Sequence, residues 1–260
     1  MELDLRDKTV IVTGAARGIG AVIAQRFAAE GARVTAFDIA FPEVPVPPGD
    51  AQATAHPVEQ MVCDVTDPAS VRAAVDEVVR RHGGIDVLVN NAGINMLGTV
   101  AELGWEQWRT CFDVNVGGVF LMSQAVAEHM KRAGSGRIIN AASFAAIVPS
   151  VGSAAYAASK SAVVQLTRVL ASELGPWDIT VNAYAPGMVP TAMNGFAEMP
   201  TEAQDRLLDT LSLRRWESPD DVANLLIFLA SDQASYLTGA LLDISGGKLA
   251  TQIPAVAHGR

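Results

Sequence analysis

The sequence predicts an α/β protein built on a single doubly wound, Rossmann-like parallel sheet with helices on both faces. Three observations predict it. Short Val/Ile-rich runs alternate with longer stretches of helical periodicity, the pattern of strands buried on both faces and joined by crossover helices. Half of the 260 residues are hydrophobic, enough for a core on each side of a sheet. No linker divides the chain and no segment repeats, so residues 1–260 read as one domain.

The elements follow in order. Residues 8–13 read as a first strand ending in a glycine-rich turn. Residues 18–30 carry Ile19, Val22, Ile23, Phe27 and Ala28 at helical spacing, and Gly31 closes that helix. Residues 33–38 form a second strand. Pro42, Pro45, Pro47 and Pro48 forbid a regular helix next, which predicts an extended surface loop over 41–57. Residues 60–64 are a third strand. Asp67 as N-cap and Pro68 in the first turn open a helix that reaches His82. A fourth strand (86–90), a mostly helical stretch (104–131), a fifth strand (136–142), a long helix (154–174) and a sixth strand (179–185) follow. Residues 190–212 read as a mobile helical flap over the substrate, 219–231 as a helix, 240–244 as the last strand and 248–260 as a C-terminal tail.

Composition removes several function classes. The formal net charge of −9 argues against nucleic acid or an anionic membrane as partner. Two stretches, 138–159 and 179–197, carry no charge, yet their Asn, Pro, Gly and Ser residues make them too polar and broken to span lipid. They suit the uncharged walls of a cleft. The start MELDLRDKTV lacks an apolar signal region, which predicts a cytoplasmic protein. Cys63 and Cys111 have no metal-ligand spacing and read as small buried hydrophobes; no metal site is expected. His56, His82, His129 and His258 form no cluster with acids.

The first strand runs straight into Thr13-Gly14-Ala15-Ala16-Arg17-Gly18-Ile19-Gly20. Such a turn lets backbone approach a pyrophosphate, and the helix behind it offers free N–H groups and a positive dipole end. Asp38 ends the second strand 18 residues past Gly20, where a carboxylate can accept from the adenosine ribose hydroxyls. The same carboxylate repels a 2′-phosphate by about 1 kcal/mol or more. The expected cofactor is therefore NAD. Arg17, a base near the phosphates, could assist either cofactor.

With these residues in place the chain resembles the short-chain dehydrogenase/reductase family, from Leu5 to Gly247. Thr13-Gly14-x-x-x-Gly18-x-Gly20 is similar to that family's cofactor turn, Asp64-Val65 to the pair that meets the adenine, and Asn90-Asn91-Ala92-Gly93 to the motif closing the fourth strand. Asn115, Ser143 and Tyr156-Ala157-Ala158-Ser159-Lys160 are similar to the catalytic set. Pro186-Gly187, continuing through Val189 to Thr191, is similar to the segment holding the nicotinamide carboxamide. The resemblance implies cofactor contacts from Gly14, Arg17, Gly18, Ile19, Gly20, Asp38, Asp64, Val65, Asn91, Tyr156, Lys160, Pro186, Val189 and Thr191. It implies a homotetramer, with a dimer as the alternative, paired through the long helices, and a water held by Asn115 in a proton relay. The chain departs from the family at Ala142, where many members carry a second serine, and at Ser245, where aspartate is usual.

The residues carry a mechanism of their own. Tyr156 and Lys160 are four apart on a helix and so share a face. A nearby ammonium favours phenolate, so Lys160 is expected to lower the Tyr156 pKa, and a tyrosine so tuned can take a proton from an alcohol or give one to a ketone. Ser143, ending the fifth strand, can hold the substrate oxygen and stabilise charge developing on it. Substrate contacts are expected from Ser143, Tyr156, Asn95 and Ser153, with walls over 95–96, 144–153 and 188–199. These walls are mostly apolar and hold no Arg or Lys, which favours a neutral small molecule: a sugar, polyol, cyclic alcohol or terpenoid. Two other readings stand beside this one. A 3-oxoacyl-carrier-protein reductase would dock an acidic partner through Lys131, Arg132 and Arg168. A non-catalytic NAD(H)-sensing module would not need an intact Ser143, Tyr156 and Lys160.

Overall fold

A computed structural model describes residues 3–42, 56–191 and 195–259. Among these residues seven strands form one wholly parallel sheet: β1 Thr9–Thr13, β2 Arg33–Asp38, β3 Glu59–Val62, β4 Val87–Asn90, β5 Gly136–Ala141, β6 Ile179–Pro186 and β7 Leu241–Ile244. Their order is β3-β2-β1-β4-β5-β6-β7. After β3 the chain crosses back over β1 to lay β4 on its other side. This reversal opens a crevice at the carboxyl ends of β1 and β4, where an open α/β sheet binds its ligand.

The strands are apolar throughout because both faces are covered. In β1, Val10 and Val12 point to one face and Ile11 to the other. Helices α1 (Gly18–Ala29) and α7 (Pro219–Ala230) bury Ile23, Phe27, Val222 and Leu226 on the first face. Helices α2 (Pro68–His82), α4 (Gly118–Ala133) and α5 (Ala154–Leu174) bury Val71, Val75, Met122, Val126, Ala171 and Leu174 on the second.

Local chemistry sets the element ends. The Asp67 carboxylate accepts from Ala69 N at 2.9 Å and caps α2, which stops at Gly83 in the left-handed conformation (φ 84°). Asp86, expected inside the fourth strand, lies just before it, where its carboxylate accepts from Thr9 N at 2.7 Å and clips β1 to β4. The helical stretch after Gly104 is two helices, α3 (Trp105–Phe112) and α4, joined by a π-helical turn over Asp113–Gly117. The expected flap holds a short 3₁₀ turn (Phe196–Glu198) and α6 (Thr201–Leu208), while residues 192–194 lie outside the described residues. Most of the proline-rich loop, residues 43–55, lies outside them as well. No helix among the described residues is long and apolar enough to cross a membrane.

Candidate active site

The turn after β1 is held open by its glycines. Gly14 and Gly18 sit at φ 64° and 61°, a region costly for residues with a side chain. A Cβ on Gly20 would collide with the Gly14 carbonyl oxygen and stand 2.5 Å from Asn91 Nδ2. Helix α1 then begins at Gly18 with no side-chain cap, so its first N–H groups stay available to an anion. Ile19 is part-buried against the α1–α7 core, while Arg17 is exposed at the N-cap.

Asp38 ends β2 beside this turn. One carboxylate oxygen accepts from Ala16 N at 2.9 Å, the other from Ile39 N at 2.8 Å. Asp64 is exposed after β3 and spends Oδ1 on Thr66 N (2.9 Å) and Thr66 Oγ1 (2.7 Å). Val65 is buried, packed where Gly118 starts α4.

Asn91, expected to meet the cofactor ribose, has its side chain elsewhere. Its Nδ2 donates to Thr13 O (3.0 Å) and Gly14 O (3.1 Å), and its Oδ1 accepts from the Tyr184 hydroxyl at 3.2 Å. The reason is the register at the crevice, which brings the end of β4 under the turn; the amide braces the turn's carbonyls. Thr13 Oγ1 completes the brace by accepting from Asn91 N and Ala92 N, both at 3.0 Å. Asn90 faces the interior and donates to Asn140 Oδ1 at 2.9 Å.

The catalytic candidates converge at the end of β5. Ser143 Oγ accepts from Ala145 N at 3.1 Å and caps a 3₁₀ turn (Phe144–Ala146). Its side chain is also close enough to the Tyr156 hydroxyl to favour the phenolate. Lys160 is buried one turn along α5, its Nζ 5.7 Å from the centre of the Tyr156 ring and donating to Ala141 O at 2.8 Å.

The expected lowering of the Tyr156 pKa is not what this geometry gives. Burial pushes the phenol up, against the Ser143 interaction. Burial also brings Lys160 down to about 8. Both groups are driven toward their neutral forms, and the ammonium is turned to the Ala141 carbonyl. Asn115 sits on the π-helical turn, where Oδ1 accepts from Ile94 N at 2.8 Å, and Nδ2 donates to Ile94 O (3.0 Å) and Ser159 Oγ (2.9 Å). It ties the segment after β4 to α5.

The Pro186–Thr191 segment leaves β6 with Met188 and Val189 buried. Gly187 passes so close to β7 that a Cβ there would stand 2.8 Å from Ser245 Cα. Its N–H donates to Glu217 Oε2 at 2.6 Å. Glu217 is buried, with Oε1 lacking a partner, beside a cavity of about 270 Å³ also lined by Met188 and Ser245. Burial lifts its pKa to about 8, with Asp221 and Asp243 adding to the rise and the Gly187 hydrogen bond and Arg215 opposing it.

Of the substrate candidates, Asn95 has a buried Oδ1 with no hydrogen-bond partner among the described residues. Ser153 closes the turn before α5: its hydroxyl donates to Ser150 O at 2.6 Å and accepts from Ser150 N at 3.2 Å. The sequence did not single out Glu217, and it named Thr13 only as the first residue of the glycine turn, with nothing to show that its hydroxyl braces that turn. Cys63 and Cys111 are buried free thiols as expected, and the described residues hold no metal-binding cluster.

Residues 14–248 match the family model described as Enoyl-(Acyl carrier protein) reductase. The chain is 38% identical over 243 residues to a 3-oxoacyl-[acyl-carrier-protein] reductase of Thermotoga maritima, covering 94% of this chain and 98% of that one. It is 40% identical over 243 residues to a D-threitol dehydrogenase of Mycolicibacterium smegmatis, covering 94% and 93%. The ligand-free aldohexose dehydrogenase of Thermoplasma acidophilum superposes with a TM-score of 0.86 at 34% identity, covering 95% of this chain and 96% of that one.

Proposed function

The chain belongs to the short-chain dehydrogenase/reductase family, and on that premise we propose that it moves a hydride between NAD and a secondary alcohol or ketone. It is an oxidoreductase of CH–OH and C=O groups. The observation that carries the catalytic reading is the meeting of Ser143, Tyr156 and Lys160 at the end of β5. The glycine turn and uncapped α1 fit a dinucleotide: Gly20 lets the turn close tightly on its own backbone, and Gly18 at the helix start has open space where a side chain would stand. Gly14, Arg17, Gly18, Ile19 and Gly20 would hold its pyrophosphate, Asp38 its adenosine ribose, Asp64 and Val65 its adenine. Pro186, Val189 and Thr191 would hold the nicotinamide, with Lys160 on its ribose. Once bound, the nicotinamide supplies the hydride acceptor or donor.

The chain's own residues manage the oxygen and its proton. Ser143 holds the substrate oxygen and Tyr156 takes the hydroxyl proton in oxidation or returns it in reduction. A raised Tyr156 pKa favours the acid form, suited to protonating a ketone. The Lys160 ammonium must approach that phenol to make it a base. Asn115 is a positioning residue, since its side chain fixes Ile94 and Ser159 around Lys160's helix.

Asp38 supports NAD over NADP, because its carboxylate lies beside the turn where a 2′-phosphate would have to pass. The test compares kcat/KM with NAD and NADP for wild type and Asp38→Ala. Wild type should prefer NAD. Asp38→Ala should weaken NAD by the loss of a charged hydrogen bond, about 1.5–3 kcal/mol, and narrow the preference without reversing it. A wild-type preference for NADP, or a ratio that Asp38→Ala leaves unmoved, overturns the assignment.

Wall composition alone favours a neutral hydroxylated substrate; one side chain outside those walls, Lys248, pulls the other way. The carrier-protein reading is not favoured by charge: Lys131 pairs with Glu128 at 3.0 Å, and the net charge of −9 opposes an acidic partner. Trp105, Phe120 and Val169 are exposed on α3, α4 and α5, which supports the homotetramer paired through these helices.

A further inference from the structure

We infer that the substrate carries an anionic group, a carboxylate or a phosphate, and that Lys248 of the C-terminal tail receives it. This rests on the dehydrogenase reading above. Lys248 follows the Gly246-Gly247 pair at the end of β7, and its Nζ stands 5.2 Å from the centre of the Phe144 ring. Phe144 is the residue after Ser143, buried in the 3₁₀ turn that the Ser143 hydroxyl caps. The ammonium therefore lies over the side chain that follows Ser143 in the chain.

Its surroundings are unusual for a lysine. The side chain is half-buried, and among the described residues no carboxylate lies within ion-pairing distance of it. Burial pushes its pKa down, and no acidic neighbour pushes it back. The face of Phe144 offsets part of the lost hydration. An anion would supply what the protein does not.

The position is built. Lys248 N donates to Ser245 Oγ at 3.3 Å, Leu249 N to Thr210 O at 3.1 Å and Ser212 Oγ to Gly247 O at 3.1 Å. His258 Nε2 meets Ser212 O at 3.0 Å. The tail is thus pinned to the end of the flap, with the ammonium at the seam between them and the Ser143 turn. The cofactor's own phosphates are not the partner. They belong at the β1 turn, and the sheet order places β4, β5 and β6 between that turn and β7, the strand from which Lys248 emerges. The anion is on the substrate.

The test uses matched pairs: 3-hydroxybutyrate against 1,3-butanediol, and glycerol 3-phosphate against glycerol, oxidised with NAD by wild type, Lys248→Met and Lys248→Arg. A second measurement follows the fluorescence of bound NADH while butyrate or inorganic phosphate is added. The expected result is a kcat/KM ratio favouring the anionic member of one pair by at least tenfold. Lys248→Met should cut that ratio at least tenfold, chiefly through KM, and Lys248→Arg should restore most of it. The responding pair tells carboxylate from phosphate. Oxidation of the neutral members alone, or a ratio that Lys248→Met leaves unmoved, overturns the inference and leaves the dehydrogenase reading standing. An anion response abolished by Lys248→Met, with no alcohol oxidised, does the reverse. Neither oxidation nor an anion response overturns both.

Discussion

At the scale of single residues, the hydroxyl of Tyr156 carries the proposal. Tyr156→Phe keeps the ring against its neighbours and removes only the proton-transfer group. Turnover should fall by about 10²–10⁴-fold, while the dissociation constant for NADH stays within a few-fold of wild type. Stopped-flow turnover and an NADH titration check both halves, and wild-type-like turnover removes Tyr156 from the mechanism. The residue types here were legible in the sequence because spacing brings them together: four residues on a helix set Tyr156 beside Lys160. Which way each polar atom turns was not legible. Asn91, Asn115 and Ser153 were legible as candidate residues, and the partners that hold their side chains are ones only the folded chain supplies. The pKa directions belong to the same gap, since burial outweighs the Ser143 interaction for Tyr156 and burial is a tertiary property.

At the scale of elements, the strand–turn–helix unit from β1 to α1 depends on backbone reaching where no side chain can stand. Gly20→Ala places a methyl against the Gly14 carbonyl and the Asn91 amide. Overpacking of this kind costs about 1–3 kcal/mol, and the forced shift lies at the candidate pyrophosphate seat. The variant should lower the denaturation midpoint and weaken NADH binding at least tenfold; unchanged binding would mean the turn does not seat the cofactor. Strands and helices were readable because Val/Ile runs and 3.6-residue periodicity are local signals. The π-helical turn at Asp113–Gly117 was not, because its extra residue answers to the Asn115 contacts with Ile94 and Ser159 and leaves no mark in the hydrophobic pattern.

At the scale of the whole molecule, Glu217 ties stability to pH. The sequence hides it: WESPDD reads as an exposed helix start, and Glu217 is buried against the segments that leave β6 and β7. Its carboxyl ionises near 8 in the fold against 4.5 ordinarily, so the folded protein binds the extra proton between those values. Stability should therefore fall as pH rises from about 4.5 to about 8, and this contribution should be flat above. Glu217→Gln keeps an acceptor for Gly187 N and removes the titration. The gap in melting temperature between Glu217→Gln and wild type should widen from pH 5 to pH 8.5. A constant gap would show that Glu217 ionises normally.

The brace beneath the glycine turn has a consequence for the pace of binding. Thr13, Asn91 and Tyr184 already satisfy the turn's carbonyls and the adjoining N–H groups from within the protein. The turn is thus set in shape by its own neighbours, and a dinucleotide meets a rigid seat instead of a coil it must order. Little conformational freedom is left to be lost on that side of the crevice, so association there is a docking event whose speed is set by encounter and orientation.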